Sequence, residues 1–285
     1  MRCSAPRRHR STRGERPRPA RSRCACSKKN AEPRGTLAAT ANGMAVRRQH
    51  SPYPGADAWV PEHASLRVLR AAVSSCHGCP LYRYATRAVF GEGLARARVV
   101  MIGEVPGDAE DRAGHVFVGP AGRLLDEVLE AAGIERDEVY LTNAVKHFKF
   151  TLRGKRRIHD KPTRYEQRAC KPWLNAELER IAPEVVVALG ATAAQALFGP
   201  HFKVTESRGK AFATEYARYT FATVHPSSVL RAPDAEARAS ARRALIADLA
   251  RVAEHLRASA PRSRPSRSSR SAGTKSARDD QHGLA

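Results

Sequence analysis

The chain has 285 residues, with 50 Lys and Arg against 28 Asp and Glu, for a formal net charge of +22. That length holds one large domain, or one domain with long tails, and no stretch is long and apolar enough to span a membrane. The charge is uneven. Residues 1–43 carry twelve basic and two acidic residues, and residues 257–285 carry seven and two, so the middle is only mildly basic. Both ends are rich in Arg, Ser and Pro and poor in large apolar residues, which predicts disordered basic tails at 1–55 and 257–285 around one domain at 56–256. A basic balance favours polyanionic partners through counterion release. The start lacks the apolar run of a secretory signal. It fits an organelle transit peptide, or an over-extended start with Met44 as the natural initiator.

In chain order, Arg98–Gly103 (RVVMIG) reads as a short buried strand, and Gly119–Ala132 as a helix with Leu124, Leu125, Val128, Leu129 and Ala132 on one face and Gly133 as its stop. Val139–Val145 reads as a second strand, Thr163–Ile181 as a long helix and Val185–Gly190 as a third strand. Ala191–Phe198 reads as a short helix, Tyr219–Val224 as a fourth strand and Asp234–His255 as a closing amphipathic helix. Alternation of helices with near-continuous apolar strands predicts a three-layer α/β/α fold around a mainly parallel four-stranded sheet.

This order places Glu104 after the first strand, Asn143 near the end of the second and His225 after the fourth. In open parallel α/β sheets ligands bind outside the carboxyl ends of the strands. Three residues far apart in sequence are thus expected at one edge. Gly103-Glu104-Val105-Pro106-Gly107-Asp108-Ala109-Glu110-Asp111 is a strand end running into a turn packed with carboxylates, where Gly107 allows close backbone approach and Glu104 can serve as a base or orienting group. A polar loop capping the next element is the plainer reading. Phe117 is either core or an aromatic platform under a planar ligand.

The six cysteines split evenly. Cys3, Cys24 and Cys26 lie in the tail, whereas Cys76, Cys79 and Cys170 lie in the domain. An odd number there, without an export signal, favours metal ligation in a reducing compartment over disulfides. His147 is the candidate fourth ligand, with a surface histidine in a basic loop as the alternative, and zinc is the generic metal for a Cys₃His set. Lys155, Arg156 and Arg157 belong to a basic loop, residues 154–162, that leaves the expected ligand edge and reads as a phosphate contact. His225-Pro226-Ser227-Ser228 reads as a strand-end turn with a serine cap.

Six motifs then occur in order: GEVPGDAEDRAGHVFVGPAGRLLDEVLEAAGI, VYLTNAVKHFKF, RGKRRIH followed by KP, CKPWL, VVVALGATAA and TVHPSSVLR. Together, over roughly residues 66–255, they resemble the iron–sulfur (family 4-like) uracil-DNA glycosylases and, among these, the UdgX group. The resemblance implies uracil-containing DNA, single-stranded DNA favoured, as the partner of a cytoplasmic, bacterial-type monomer that is nucleoid-associated when bound to DNA. It implies a [4Fe–4S] cluster on Cys76, Cys79, Cys170 and His147, the last replacing the cysteine of the hydrolytic relatives. Phe117 would stack on a flipped-out uracil, Asn143 would bond its Watson–Crick edge, His225 would stabilise charge on the departing base, and Glu104 would act on the sugar side. Val105, Gly107, Asp108 and Asp111 would line the substrate site, and Ser227, Ser228 and Arg231 would join the basic loop on DNA. In that group the loop histidine, here His159, attacks the anomeric carbon and stays bonded to DNA. Val105 stands where the group usually has Gln, and Asp160 where it often has Lys.

An ordinary hydrolytic glycosylase with turnover is the nearest competing reading, followed by a non-catalytic DNA-binding iron–sulfur protein and a redox protein. The ordered set Glu104, Phe117, Asn143 and His225 disfavours the last two, and His159 separates the first two.

Overall fold

The computed structural model describes residues 53–259; the tails expected at the two ends lie largely outside them. In chain order the elements are α1 (Leu66–Val73), β1 (Val99–Gly103), α2 (Asp108–Ala113), α3 (Pro120–Ala132), β2 (Val139–Asn143), β3 (Phe150–Arg153), β4 (Arg156–His159) and α4 (Arg164–Ile181). There follow β5 (Val185–Leu189), α5 (Ala191–Phe198), α6 (Val204–Ser207), β6 (Ala211–Phe212), β7 (Tyr219–Thr223), α7 (Pro226–Leu230) and α8 (Ala235–Ser259). No described helix is long and apolar enough to cross a membrane.

The sheet has the order β2-β1-β5-β7-β6. Its first four strands run parallel and are the four expected from sequence; β6 adds an antiparallel edge to β7. The sheet therefore has five strands rather than four. A two-residue edge strand is too short to show a period, and only its pairing defines it.

Both faces of the parallel strands are buried, and alternate residues feed two cores. Val99, Met101, Val139, Leu141, Val185, Val187 and Phe221 pack with Leu125, Val128 and Leu129 of α3 and Leu245, Leu249 and Val252 of α8. Val100, Ile102, Tyr140, Val186 and Ala188 pack with Leu174 and Leu178 of α4 and Ala193 and Ala194 of α5. A third core gathers Leu69 and Val73 of α1 with Cys76, Cys79, Val105, Cys170 and Trp173.

Helix ends follow their chemistry. Pro120 opens α3 and Gly133, at φ +73°, closes it. Thr163 and Glu166 form a reciprocal cap at the start of α4: the Glu166 N–H donates to Thr163 Oγ1 at 3.2 Å and the Thr163 N–H to Glu166 Oε2 at 2.6 Å.

Two segments expected to be loops are regular. The carboxylate-rich stretch after β1 is the short helix α2, and residues 150–159 form the antiparallel hairpin β3–β4 with Phe150 opposite His159. Most of that hairpin is exposed on both faces, so its sequence lacks the apolar alternation that marks a strand.

Candidate active site at the carboxyl ends of the strands

The strand order reverses direction between β1 and β5, and the chain's polar residues converge at the carboxyl ends there. Gly103 ends β1 beside Asn143, which ends β2. A side chain at Gly103 would overlap Asn143 Oδ1 and stand 2.8 Å from Phe117 Cζ, so glycine is what lets the amide and the ring close on one another. Phe117 has φ +53°, a left-handed conformation that costs a bulky residue about 1–3 kcal/mol. Gly122, in the first turn of α3, makes room for it, since a Cβ there would fall on the Phe117 carbonyl.

His225 follows β7 and caps α7. Its ring lies near-parallel to that of Phe117, with centroids 6.1 Å apart and planes 24° apart. Its Nδ1 accepts the Ser227 N–H at 3.1 Å and lies 2.8 Å from Ser227 Oγ. An Nδ1 that accepts carries no proton, so the network assigns the neutral ring's N–H to Nε2. Burial, with smaller contributions from the charges of Arg231 and His159, pushes the His225 pKa down from 6.5 to about 4. The site thus holds a neutral imidazole donor at pH 7. Ser228 Oγ donates to the His225 carbonyl at 2.7 Å and is exposed, as is Arg231, while Ser227 is half-buried.

Glu104 is half-buried, and Thr192 in the first turn of α5 donates to its Oε1 at 2.6 Å. Val105, next in sequence to Glu104, is buried and belongs to the core that contains the cysteines. Gly107 and Gly119 are joined by Glu110, whose carboxylate accepts their N–H groups at 3.1 and 2.8 Å. Sequence reasoning passed over Glu110, since a carboxylate in an acidic run carries no sign of which backbone it will hold.

Asp108 and Asp111 have structural partners. Asp111 is fully buried and accepts the Thr86 N–H at 2.9 Å. Arg157, from β4, pairs with both carboxylates, reaching Asp111 Oδ2 at 2.6 Å, and donates to Thr86 Oγ1 at 3.2 Å. Its guanidinium carbon lies 5.3 and 5.1 Å from the centroids of Phe148 and Phe150. Of the three basic residues expected on phosphate, Lys155 and Arg156 are exposed, whereas Arg157 ties the hairpin to α2 through Nε and Nη1. His159, at the end of β4, is exposed, with its ring 6.1 Å from that of Phe148.

Cys76, Cys79 and Cys170 are buried, free of disulfides and packed in one core. Trp173 Nε1 donates to Cys76 Sγ at 3.2 Å and the Lys146 N–H to Cys170 Sγ at 3.3 Å. Burial pushes the Cys79 thiol up to about 11 and the Cys170 thiol up to about 12. His147 is 5% exposed, which excludes the surface-histidine reading, and burial lowers its pKa to about 4. Among the described residues no three His, Cys, Asp or Glu side chains form a group suited to a single metal ion.

Behind Asn143 lies a second ionic arrangement that the sequence did not announce. Lys146 and Glu177 are fully buried and paired. Glu177 also accepts from Gly91 N–H at 2.9 Å, Tyr140 O–H at 3.1 Å and Thr142 Oγ1 at 2.9 Å.

Asn143, Phe117, Glu104 and His225 thus stand at the carboxyl edge of an open parallel α/β sheet, the edge at which such folds bind ligands. Comparison with known families carries this further: residues 90–250 match the uracil DNA glycosylase superfamily, and the chain belongs to that superfamily. Among its relatives, the type-4 uracil-DNA glycosylase of Thermotoga maritima is 40% identical over 167 residues, spanning 58% of this chain and 83% of that one. The type-4 enzymes of Sulfurisphaera tokodaii and Pyrobaculum aerophilum are 36% and 37% identical over 178 and 175 residues, which cover 78% and 86% of those proteins.

Proposed function

We propose that this chain excises uracil from DNA and is left bonded to the resulting sugar through His159. The observation that carries the reading is the placement of His159 at the end of β4, on a hairpin that Arg157 ties to α2, the helix that follows the strand end bearing Glu104. Membership of the superfamily and the type-4 relatives support the excision step.

Extruding the nucleotide costs a few kcal/mol in a duplex and less in single-stranded DNA, the substrate we favour. Stacking on Phe117 offsets about 1–3 kcal/mol of that cost, and the Asn143 amide bonds the Watson–Crick edge. The C1′–N1 bond breaks with its electron pair on the base, and His225 Nε2–H donates to the uracil anion, which later takes a proton from solvent. The sugar is left as an oxocarbenium ion. A nitrogen lone pair of His159 then forms the bond to C1′, and the ring loses its other N–H proton to Glu104 or to solvent, leaving a neutral substituted imidazole. Lys155, Arg156, Ser227, Ser228 and Arg231 would meet phosphates.

The four ligand candidates fit a [4Fe–4S] cluster. Three buried thiols lie in one core, where Cys76 and Cys170 accept N–H groups, as thiolate ligands do, and His147 is buried on the adjoining segment. Cys76, Cys79, Cys170 and His147 would hold it, and when bound it supplies a covalent tie between the CxxC segment, the end of β2 and α4. Brown protein with visible absorbance is expected, and colourless protein with stoichiometric zinc would sink this assignment. The basic tails would add salt-dependent affinity for DNA without entering the chemistry.

The experiment is a denaturing gel of the full chain with uracil-containing single-stranded DNA. The parent protein is expected to yield a denaturant-resistant complex that His159→Ala abolishes while excision persists. The relatives favour one alternative, a hydrolytic enzyme with turnover; free abasic product in excess of enzyme, with no complex, would establish it instead.

A further inference from the structure

We infer that Lys146 is a positioning residue for base recognition: its ammonium fixes the backbone of Asn143 while its amide holds Cys170, so one residue joins the uracil pocket to the cysteine core. The inference rests on Asn143 reading the base, as proposed above.

Lys146 has no exposed surface at all. An ammonium so placed must have its donors met within the protein. It finds Thr142 Oγ1 at 2.7 Å, the Asn143 carbonyl at 2.9 Å and Glu177. The bond to Asn143 closes a turn at the point where β2 delivers its last residue to the pocket. The neighbouring amides finish the job from the other side: Ala144 and Val145 donate to the carbonyls of Gly103 and Glu104 at 2.9 and 3.1 Å. Asn143 is thereby held at its own carbonyl by Lys146 and through the next two residues by β1. Its side-chain oxygen sits where even a methyl group on Gly103 would collide with it, so small backbone shifts translate into a misplaced amide.

Stability alone does not call for this pair. A buried ion pair is commonly no more stabilising than apolar residues of similar volume. Glu177 already has three neutral donors in Gly91, Tyr140 and Thr142, so it can be satisfied without a cation. What only Lys146 supplies is a donor that reaches both Glu177, on α4, and the Asn143 carbonyl. Its own amide, 3.3 Å from Cys170 Sγ, extends the same chain of contacts to the cysteine core.

The test removes both charges together with Lys146→Met/Glu177→Gln, where Gln keeps an acceptor for Gly91, Tyr140 and Thr142. Four quantities are read on the full chain: melting temperature, visible absorbance, the single-turnover rate constant of uracil excision, and inhibition by free uracil. A positioning role gives a protein with parental melting temperature and absorbance, a single-turnover excision rate constant lower by about 100-fold, and inhibition by uracil weakened in parallel. A variant with parental stability and a single-turnover excision rate constant within about threefold of the parent overturns the inference. If the double variant does not fold, Thr142→Val removes one hydroxyl shared by Lys146 and Glu177, and the same paired loss, smaller in size, is expected; an unchanged uracil affinity there overturns it equally. Absence of excision in the parent protein would instead refute the function on which the inference rests, so the two failures are distinct.

Discussion

Asn143 and His225 stand at the carboxyl ends of strands paired within the parallel sheet, whereas His159 stands on a separate two-stranded hairpin with mostly exposed residues. In the pocket many constraints converge on each group: Gly103 admits the Asn143 amide, Lys146 and β1 hold its backbone, Ser227 sets the His225 ring. The hairpin's ion pairs to α2 come from one guanidinium, that of Arg157, shared between Asp108 and Asp111, beside ring contacts of Phe150 and His159 with Phe148. On the proposed reading, base recognition is built into the sheet, and His159, the proposed nucleophile, is carried on the more exposed hairpin.

The largest effect is expected from breaking the pocket. Gly103→Ala puts a methyl group onto Asn143 Oδ1 and against Phe117, and misplacement on that scale costs about 100-fold or more in the single-turnover rate of excision. A folded variant with parental excision kinetics would show that the two groups do not meet the base together.

Arg157→Ala breaks the other side of the comparison. It removes the cation beside the buried Asp111 carboxylate, at a cost of about 3 kcal/mol, since breaking one partner from a buried pair is more destabilising than never having it. The expected outcome is a lowered melting temperature and a complex yield reduced at least about tenfold, with excision retained because no pocket group is touched. Equal losses of excision and complex would place Arg157 in the pocket's own machinery.

A smaller effect concerns pH. The His225 pKa is lowered on folding, from 6.5 to about 4, so the unfolded chain binds a proton in this window that the folded one refuses. This histidine's contribution to stability is present above pH 6.5 and is lost as pH falls towards 4. Melting temperature should therefore fall less steeply over that range in His225→Asn than in the parent. Identical slopes would mean that the ring is not held neutral.

The same contrast governs what could be read from sequence. β1, β2, β5 and β7 were legible because their residues are buried on both faces, leaving nearly unbroken apolar runs such as Val185–Leu189. From them the meeting of Glu104, Asn143 and His225 at one edge followed. The hairpin was not legible: Arg156-Arg157-Ile158-His159 is a strand because of pairing with β3 and the clamp on α2, neither of which leaves a local period. Nothing in a lone lysine such as Lys146 reports that Glu177, 31 residues on, will meet it in the interior. Asp108 and Asp111, expected in the substrate site, stood out by type in a suggestive loop, while their partner Arg157 lay beyond the reach of any spacing rule.

The central claim, attack by the hairpin on a sugar released in the pocket, is tested most directly by peptide mapping of the complex formed with uracil-containing single-stranded DNA. Digestion followed by mass spectrometry should find the deoxyribose adduct on the peptide containing His159, with fragment ions assigning it to the imidazole. An adduct on any other residue, or a complex that survives His159→Ala, would contradict the account.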